Sequence, residues 1–441
     1  MSELPTNWHR TKFTEVFDVQ GGTQPPKSTF LNDPTEGYVR LLQIRDFGAK
    51  PVPTYIPKTK NIKTCEKDDL LIARYGASLG RICTGMSGAY NVALAKLVCP
   101  SEVSKAFAKH YLCSEEFQAP LRLLSRSAQN GFNKEDLSDF DFSFPPKAEQ
   151  ARIAQKLDEL LAQVDTLKAR IDGIPALLKR FRQSVLTAAV SGQLTEEWRD
   201  GAEVNWSYQR AADVCEKVQS GGTPKEGFSE SGIPFLKVYN IVNQQIDFEY
   251  RPQYISKSIH HHSSSKSITL PGDVVMNIVG PPLGKVATIP SNHPEWNINQ
   301  AITLFRPSKN IVSGWISIVL LGGENLRSII NETKGSAGQI NISLSQCRDF
   351  VFPVPEVEEQ GEIVRRVDKL LTFADQLETR VKAAQARIDR LSQSILAKAF
   401  RGELVTQDPT DEPASVLLDR IKAQRAAAPK AKRSRRAATS G

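Results

Sequence analysis

The chain contains the same long amphipathic helix twice, and this repeat restricts the folds open to it. Residues 148–167 read AEQARIAQKLDELLAQVDTL and residues 358–377 read EEQGEIVRRVDKLLTFADQL. In both segments apolar residues recur at alternating spacings of three and four, the seam pattern of a coiled coil. The seam positions are Ile153, Leu157, Leu160, Val164, Leu167, Ile171, Ile174, Leu178, Phe181, Val185, Ile363, Val367, Leu370, Ala374, Leu377, Val381, Ala384, Ile388, Leu391 and Ile395. Because the seams stay 210 positions apart without a gap, from Ile153 and Ile363 onward, we expect the two helices to pack on each other.

The ends of both helices are marked by helix-terminating residues. Prolines precede each helix, and Gly192 and Gly402 follow them as predicted stops. The first helix differs at Pro175, where the second has Gln385. Proline removes a backbone hydrogen bond and clashes with the carbonyl four residues earlier. The sequence therefore predicts a kink or break near Gly173.

The segments before the two helices also match, although more loosely. QGGTQPP at 20 returns as SGGTPKE at 220, which aligns Gly21-Gly22-Thr23 with Gly221-Gly222-Thr223. LLQIRDF at 41 returns as FLKVYNI at 235, and DLLIARYGASLGRI at 69 as DVVMNIVGPPLGKV at 273. These short apolar runs, bounded by Gly, Pro, Asp and Asn, are typical of strands and turns. We predict an α/β (α+β) protein with two similar mixed domains, each followed by a helical arm.

This pattern divides the chain into five predicted parts. They are a first globular domain at 1–146, a central helical region at 147–192, a second globular domain at 193–355, a distal helical region at 356–402 and a tail at 403–441. The net charge of +8 equals the number of basic residues after Asp419, so the rest of the chain is near neutral. The tail is predicted to be disordered, with either a dedicated role or only weak affinity for polyanions.

Composition excludes several other classes of protein. Apolar residues make up 40% and charged residues 24%, the balance of a water-soluble globular protein. No apolar run approaches the roughly 18 residues of a membrane span, so we expect a cytoplasmic protein without membrane contact. The cysteines are scattered without a C-x-x-C pair, which indicates reduced, packed thiols.

No set of residues predicts catalysis by this chain. The segment GPPLGK at 280–285 is one residue too short for a P-loop, and no metalloprotease, nucleophile-elbow or dinucleotide motif occurs. Three consecutive histidines, His260 to His262, cannot all face one ion, and the serines beside them indicate an exposed loop. We therefore predict neither a catalytic residue nor a metal site.

Polar and basic residues instead gather at the predicted turns of both domains. Arg, Lys, Asn and Gln are the side chains that pair with guanine or adenine edges in the major groove, although solvated turns are rich in them for other reasons. The candidate DNA-contacting residues are Arg40, Gln43, Arg45, Arg74, Tyr75, Ser78, Arg81, Arg126, Ser127, Gln129, Asn130 and Asn133 in the first domain and Lys237, Tyr239, Asn240, Asn277, Lys285, Lys334, Ser336, Gln339 and Asn341 in the second.

Two variable domains alternating with two repeated arms resemble the specificity subunit of type I restriction-modification enzymes, and the arms are most similar to those of the enteric type IA group. The resemblance implies that each domain is a target-recognition domain reading one half of a bipartite, asymmetric DNA sequence. It also implies that the arms pack antiparallel with pseudo-twofold symmetry. The seam from Ile153 to Val185 would form a rod of about 48 Å, comparable with the roughly 34 Å between half-sites one helical turn apart.

The resemblance also implies partners and a division of chemistry. Two modification subunits would supply S-adenosylmethionine and adenine methylation, and two restriction subunits would supply ATP- and Mg²⁺-dependent translocation and cleavage. This chain would bind double-stranded DNA and no cofactor. Two alternatives stay open from the residues alone: a non-catalytic coiled-coil scaffold that binds proteins, and a catalytic methyltransferase. The absence of an N-P-P-[YF] motif disfavours the second alternative.

Overall fold

The structure, a computed structural model, describes residues 4–127, 131–332 and 341–427. The chain forms two units, one comprising Met1–Asp172 with Ala383–Gly441 and the other Gly173–Lys382. The boundary crosses both long helices, so each unit contains one globular domain together with a part of each arm. Among the described residues, no helix is both long and apolar enough to cross a membrane.

Among its described residues, the first unit contains short strands and three helices before the first arm. The strands are β1 (His9–Lys12), β2 (Asp18–Gly21), β3 (Tyr38–Leu42), β4 (Tyr55–Pro57), β5 (Thr64–Cys65), β6 (Leu71–Ala73), β7 (Ile82–Cys83), β8 (Gly88–Tyr90), β9 (Leu94–Val98) and β10 (Asp141–Phe144). The helices are α1 (Phe13–Val16), α2 (Lys105–Cys113) and α3 (Glu115–Ser127), and the arm is α4 (Lys147–Val190).

The second unit follows the same plan, with additional short elements. Its strands are β11 (Ser207–Arg210), β12 (Lys217–Ser220), β13 (Ile233–Leu236), β14 (Ile241–Val242), β15 (Gln245–Ile246), β16 (Tyr254–Ile255), β17 (Ile268–Thr269), β18 (Val274–Asn277), β19 (Val286–Thr288), β20 (Trp296–Ile298), β21 (Ile302–Arg306) and β22 (Val351–Val354). Its helices are α5 (Ala211–Val214), α6 (Lys257–His261), α7 (Ser313–Gly322), α8 (Glu324–Glu332) and α9 (Leu344–Arg348). The second arm is α10 (Val357–Phe400), and α11 (Ala414–Ala427) ends the described chain.

The two globular domains share one strand topology. The first has sheets of order β2-β9-β6-β7 and β4-β3-β8-β5, and the second has β12-β21-β18-β19 and β16-β13-β20-β17. A two-stranded sheet, β1-β10 or β11-β22, closes each domain. In both domains one pair is parallel, β3 with β8 and β13 with β20. The prediction of two similar mixed α/β domains is confirmed.

The sheet register corrects the alignment of the two glycine turns. Gly22 donates its amide to the Leu94 carbonyl at 3.1 Å, and Gly221 donates to the equivalent Ile302 carbonyl at 3.0 Å. A Cβ on Gly22 would lie 2.1 Å from the Asn91 carbonyl oxygen, and one on Gly221 2.0 Å from that of Ile298. Gly22 is therefore equivalent to Gly221, one position away from the alignment expected from the shared Gly-Gly-Thr. The pairing with the neighbouring strand, and not the local identity, sets the register.

The arms pack antiparallel, as polar pairs within each unit show. In the first unit Lys168 Nζ lies 2.7 Å from Asp389 Oδ1, and Gln385 Nε2 donates to Asp172 Oδ1 at 2.7 Å. Residue numbers rise on α4 as they fall on α10. In the second unit Arg182 Nη2 lies 2.6 Å from Asp375 Oδ1. There too, a higher residue number on α4 is paired with a lower one on α10.

Most of the predicted seam is at least half-buried. Ile153, Leu157, Val164, Leu178, Val185, Ile363, Val367, Ala374, Val381 and Ile388 are buried, and Leu160, Ile171, Ile174, Phe181, Leu370, Leu377, Ala384 and Ile395 are half-buried. Two expected seam residues are instead exposed, Leu167 by 48% and Leu391 by 46%. Outside the seam, Ala154 and Leu396 are buried in the core of the first domain. The arm ends therefore bury a second stripe against the domains, which a two-helix heptad pattern does not predict.

Pro175 does not interrupt the first arm. Helix α4 is continuous from Lys147 to Val190 with Pro175 inside it, so the predicted break is wrong, and the kink remains a prediction. Proline costs the helix one backbone hydrogen bond, and the antiparallel partner on this stretch supports the helix on both sides of it. The glycine stops are confirmed, because Gly192 and Gly402 follow the arms with left-handed φ values of 78° and 76°.

The Glu-Gln pair that begins each arm is a buried anchor. Gln150 accepts the Ser104 amide at 2.9 Å, and Gln360 accepts the Val312 amide at 3.0 Å. Trp8 Nε1 donates to Glu149 at 2.9 Å, and Trp206 Nε1 donates to Glu359 at 2.8 Å. Each arm is therefore fixed at its first turn to the domain that precedes it.

The expected disordered tail is partly helical, which corrects the prediction for residues 403–427. Helix α11 buries Leu417, Leu418 and Ile421 in the core of the first domain. The Arg425 guanidinium donates to the carbonyls of Thr14, Glu15 and Val16 at 2.7–2.8 Å, capping α1. The net positive charge suggested a solvated tail. The free energy gained by burying the apolar residues of α11 outweighs this preference for solvent. Residues 428–441 lie outside the described chain.

Asp69, at the start of β6, gives the first unit a defined pH dependence. It accepts the Glu66 amide at 3.0 Å and lies 2.9–3.1 Å from the ammonium groups of Lys105 and Lys96. Burial alone would raise its pKa, but these three contacts outweigh burial and lower the pKa from 3.8 to about 2. The stabilisation is therefore present above pH 4 and is lost as the pH falls toward 2.

Replacing Asp69 with asparagine is expected to lower the free energy of unfolding of the first unit by about 2 kcal/mol at pH 7. The loss should be several-fold smaller at pH 2, where about half of the wild-type carboxyls are protonated. Urea denaturation at both pH values, with hydrogen exchange to locate the change in the first unit, measures this. An equal loss at both pH values would show that the charge is not the cause.

Candidate nucleic-acid interface

Two of the predicted polar turns of the first domain meet through Arg81. Its guanidinium, in the turn between β6 and β7, donates to the Phe47 carbonyl in the turn after β3. In that second turn, buried Asp46 accepts the Gln43 amide at 2.8 Å and lies 3.4 Å from Arg40 Nη2. Arg45, which is exposed, donates to Thr54 at 3.3 Å. The first and second clusters of candidate residues therefore lie at the same edge of the domain.

Arg74 joins the third cluster to the same edge. Its Nε donates to the Phe132 carbonyl at 2.9 Å, and the guanidinium lies 5.3 Å from the centre of the Tyr75 ring. Asn133 caps the next turn by accepting the Asp136 amide at 3.1 Å, and Ser78 ends the 3₁₀ turn Gly76–Ser78. The Arg74 side chain therefore holds two loops of this edge together.

Two side-chain N–H donors at this edge lack a hydrogen-bond acceptor within the described protein. Among the described residues, Arg40 Nε and Gln43 Nε2 are buried and have no hydrogen-bond partner. Leaving such a donor unpaired costs about 1–3 kcal/mol. Both atoms are closed to solvent in this conformation, so Arg40 and Gln43 stay candidate contacts by residue type and by their place at this edge.

In the second domain two candidates have a structural role instead. Asn240 and Asn277 are almost fully buried, at 1% and 0% exposure. The Asn240 amide donates to the carbonyls of Asp247 and Tyr250, and the Asn277 amide donates to those of Val279 and Pro282, all at 2.8–3.0 Å. Their amide groups hold loops and are closed to a ligand, so neither residue is retained as a DNA contact.

The remaining described candidates of the second domain are accessible. Lys237 places its ammonium group 4.6 Å from the Phe228 ring centre, and the Tyr239 hydroxyl donates to the Arg251 carbonyl at 3.1 Å. Lys285 is half-buried in the turn before β19. Asn341 is exposed and forms an isolated antiparallel β-bridge with Val279. Outside the described residues or side chains lie Arg126, Ser127, Gln129, Asn130, Lys334, Ser336 and Gln339.

The histidine cluster is a hydrogen-bonded structural element. Within the described chain, His260, His261 and Glu295 are the group whose ligand atoms lie close enough to hold a metal, within 4.8 Å of one another. Asn297 Nδ2 donates to His260 Nδ1 at 3.0 Å, so the ring proton is on Nε2 and points to Glu295 at 3.2 Å. Burial lowers the pKa of His260 and keeps the ring neutral. Since a protonated nitrogen cannot bind a metal, this network opposes a metal site.

Comparison with known proteins gives the family. The model of the type I restriction modification DNA specificity domain matches residues 5–176 and again residues 203–384. The chain belongs to the type I restriction-modification DNA specificity family. It is 31% identical to the EcoBI specificity subunit of Escherichia coli, across 98% of this chain and 95% of that one. It is 30% identical to the EcoKI specificity subunit of Escherichia coli strain K12, across 98% and 99% of the two chains.

Solved structures agree on the fold of this specificity subunit. The HsdS subunit from Thermoanaerobacter tengcongensis superposes with a TM-score of 0.60 over 91% of this chain and 99% of that one, at 19% identity. A chain from a study of complex assembly and conformational transition in a type I R-M system gives 0.66 over 92% and 100%, at 19% identity. The predicted family and fold are both confirmed. As a specificity subunit, the chain is a non-catalytic component of its enzyme.

Sequence reasoning missed one exposed element beside Lys285, the β14–β15 hairpin. The signal was available in IVNQQI at 241–246, where two polar residues separate two short strand-forming pairs. It was overlooked because each strand has only two residues, too few for a periodic pattern.

Proposed function

We propose that each globular domain reads one half of a bipartite, asymmetric DNA sequence. The observation that carries this proposal is one strand topology with different side chains at matching turns. Gln43 corresponds to Lys237, Arg45 to Tyr239 and Arg81 to Lys285. A repeated frame with exchanged donors and acceptors suits two readers of two different base sequences. A protein-binding scaffold would not need the exchanged polar turns, and the family does not favour it.

The proposed readers are residues 1–146 and 193–355, with the arms at 147–192 and 356–402 holding them. The proposed DNA contacts in the first domain are Arg40, Gln43, Arg45, Arg74, Tyr75, Ser78, Arg81, Arg126, Gln129, Asn130 and Asn133. Those in the second are Lys237, Tyr239, Lys285, Lys334, Ser336, Gln339 and Asn341. Residues 403–427 belong with the first domain, because α11 packs in its core.

The proposed partners are double-stranded DNA, two modification subunits and two restriction subunits, in the cytoplasm. The duplicated architecture supports two copies of each partner, since each half of the chain offers an equivalent arm and domain. S-adenosylmethionine, ATP and Mg²⁺ would be used in those partners. Because the body of this chain is nearly neutral, it would make few phosphate contacts by itself. The assembled complex would then supply much of the nonspecific affinity for DNA.

A single-molecule methylome of host DNA, with and without this gene, tests the proposal. We expect N6-methyladenine to disappear from one split, asymmetric motif with a fixed gap when the gene is deleted, and to return on complementation. Co-expression with a matching modification subunit, in a strain without other adenine methylation, is the control for a silent partner. No split motif under that condition would contradict the proposal.

A further inference from the structure

The β14–β15 hairpin distinguishes one domain from the other. Within the described chain, this two-stranded ribbon of the second domain has no counterpart in the first. It follows the 3₁₀ turn Val238–Asn240, whose equivalent in the first domain, Ile44–Phe47, leads into a stretch without paired strands. If two domains on one frame read different base sequences, elements present in only one domain are where the reading residues are expected.

The tip of the hairpin has a conformation that ordinary residues rarely adopt. Asn243 and Gln244 have φ values of 48° and 64°, so both central residues lie in the left-handed region, as in a type I′ turn. Glycine is the usual residue at the second of these positions, and glutamine there is unfavourable. Polar side chains thus occupy the tip at a conformational cost, which is a feature of functional sites.

The hairpin is held rigidly at its base. Asn240 donates to the carbonyls of Asp247 and Tyr250 at 2.9 and 3.0 Å, and the Asp247 amide donates back to the Asn240 carbonyl at 2.8 Å. Ile241 and Phe248 are buried beneath the ribbon. Both ends of the segment are therefore fixed before any ligand arrives, which lowers the entropy lost on binding.

The side chains at the tip are open to solvent and adjoin a candidate contact. Val242, Asn243, Gln244 and Gln245 are all exposed. Val242, Asn243 and Gln244 line a cleft of about 350 Å³ together with Lys285. The acids of the segment, Asp247 and Glu249, follow the second strand and do not stand at the tip.

We propose that this hairpin enters the major groove of the half-site read by the second domain, with Asn243 and Gln244 reading base edges. The inference rests on the proposed function and names the residues that perform it. The major groove admits a two-stranded ribbon, and Asn and Gln pair bidentately with adenine. The Arg251 guanidinium, 5.2 Å from the Tyr250 ring centre, supplies a cation for the flanking phosphates. Asn240 is the positioning residue.

The double variant Asn243→Gly, Gln244→Gly tests this inference without unfolding the hairpin, because a type I′ turn accepts glycine at both positions. The full chain, co-expressed with its modification subunit, is assayed by single-molecule methylome sequencing. Base preference should relax about tenfold or more at one or two positions of a single half-site, and the other half-site should be unchanged. Glu249→Ala, at an exposed position beyond the second strand and away from the tip, is the matched control and should keep the wild-type motif.

An unchanged motif in the double variant would overturn the inference while leaving the proposed function standing. If the wild-type chain itself produced no split motif, the proposed function would fail instead, so the two failures are distinguishable. Should the double variant lose all methylation, Asn243→Asp decides the case, because aspartate tolerates the same turn but exchanges an amide donor for an acceptor. It is expected to lower methylation at the wild-type base of one half-site only, and an unaltered motif would refute base reading by Asn243.

Discussion

Replacing Glu359 with alanine is expected to lower the free energy of unfolding of the second unit by about 3–5 kcal/mol. The Glu359 side chain is buried and forms an ion pair with Arg199, which is itself 11% exposed. It also accepts hydrogen bonds from Thr195 and Trp206 at 2.8 Å each. Alanine would leave the Arg199 guanidinium without its counter-ion and the Trp206 indole N–H without its acceptor.

The repeat supplies a matched control at Glu149. This carboxylate is equally buried, but its direct partners are the neutral donors Trp8, at 2.9 Å, and Gln407, at 2.6 Å. Burial raises the pKa of Glu149, and the two hydrogen bonds offset only part of that effect. Glu149→Ala is therefore expected to cost about 2 kcal/mol, in the first unit only.

Urea denaturation with hydrogen exchange on peptides from each unit measures both losses, because a chain with two units need not unfold in one step. The conservative variants Glu359→Gln and Glu149→Gln separate charge from hydrogen bonding. Glutamine should be tolerated better at 149, where no cation is paired directly, than at 359. Equal losses for the two alanine variants would show that the Arg199 ion pair does not stabilise the second unit.

Alanine at Gly22 or Gly221 is expected to destabilise the corresponding domain by about 3 kcal/mol, at the upper end for overpacking. The added Cβ would lie 2.1 Å from the Asn91 carbonyl oxygen or 2.0 Å from that of Ile298. Both clashing atoms are backbone atoms, Asn91 directly after β8 and Ile298 at the end of β20, so neither can move without disturbing the sheet.

The adjacent glycines provide the controls. A Cβ on Gly21 would meet only the flexible end of Arg74, at 3.1 Å, and one on Gly222 would meet nothing within 4 Å. Both alanine variants are expected to stay within about 0.5 kcal/mol of wild type. Thermal and urea unfolding of the four variants compares them. If Gly21→Ala and Gly221→Ala were the damaging pair, the domains would follow the Gly-Gly-Thr alignment and the structural register would be wrong.

The arms show how much of the fold could be predicted from sequence. Heptad spacing predicted two helices that pack together, because burying one stripe of a helix requires a fixed period. The same pattern missed the exposure of Leu167 and Leu391 and the burial of Ala154 and Leu396. Those outcomes depend on which surfaces the arm ends meet in the domains, and a helical period contains no information about them.

The candidate site was predicted less well, for a related reason. Arg81 and Arg74 were placed correctly at polar turns, and the structure adds that they hold three turns at one edge. Asn240 and Asn277 have the same side-chain chemistry as a base-reading residue, but both amides are used on neighbouring carbonyls. Residue type indicates what a side chain can bond, whereas its position in the fold decides whether the protein has already used those bonds.

By itself, the sequence determined the duplication, the two mixed domains and the coiled-coil arms, because these follow from periodicity and long-range repetition, and the similarity of its arms to those of known proteins indicated the family. Tertiary structure alone decided the pairing of Gly22 with Gly221, the continuity of α4 through Pro175 and the docking of α11 on the first domain. Each of these depends on contacts between residues distant in sequence, whose free energy outweighs the local preference of the residues concerned. The β14–β15 hairpin belongs to the second group, since only the clamp by Asn240 makes so short a ribbon a rigid element.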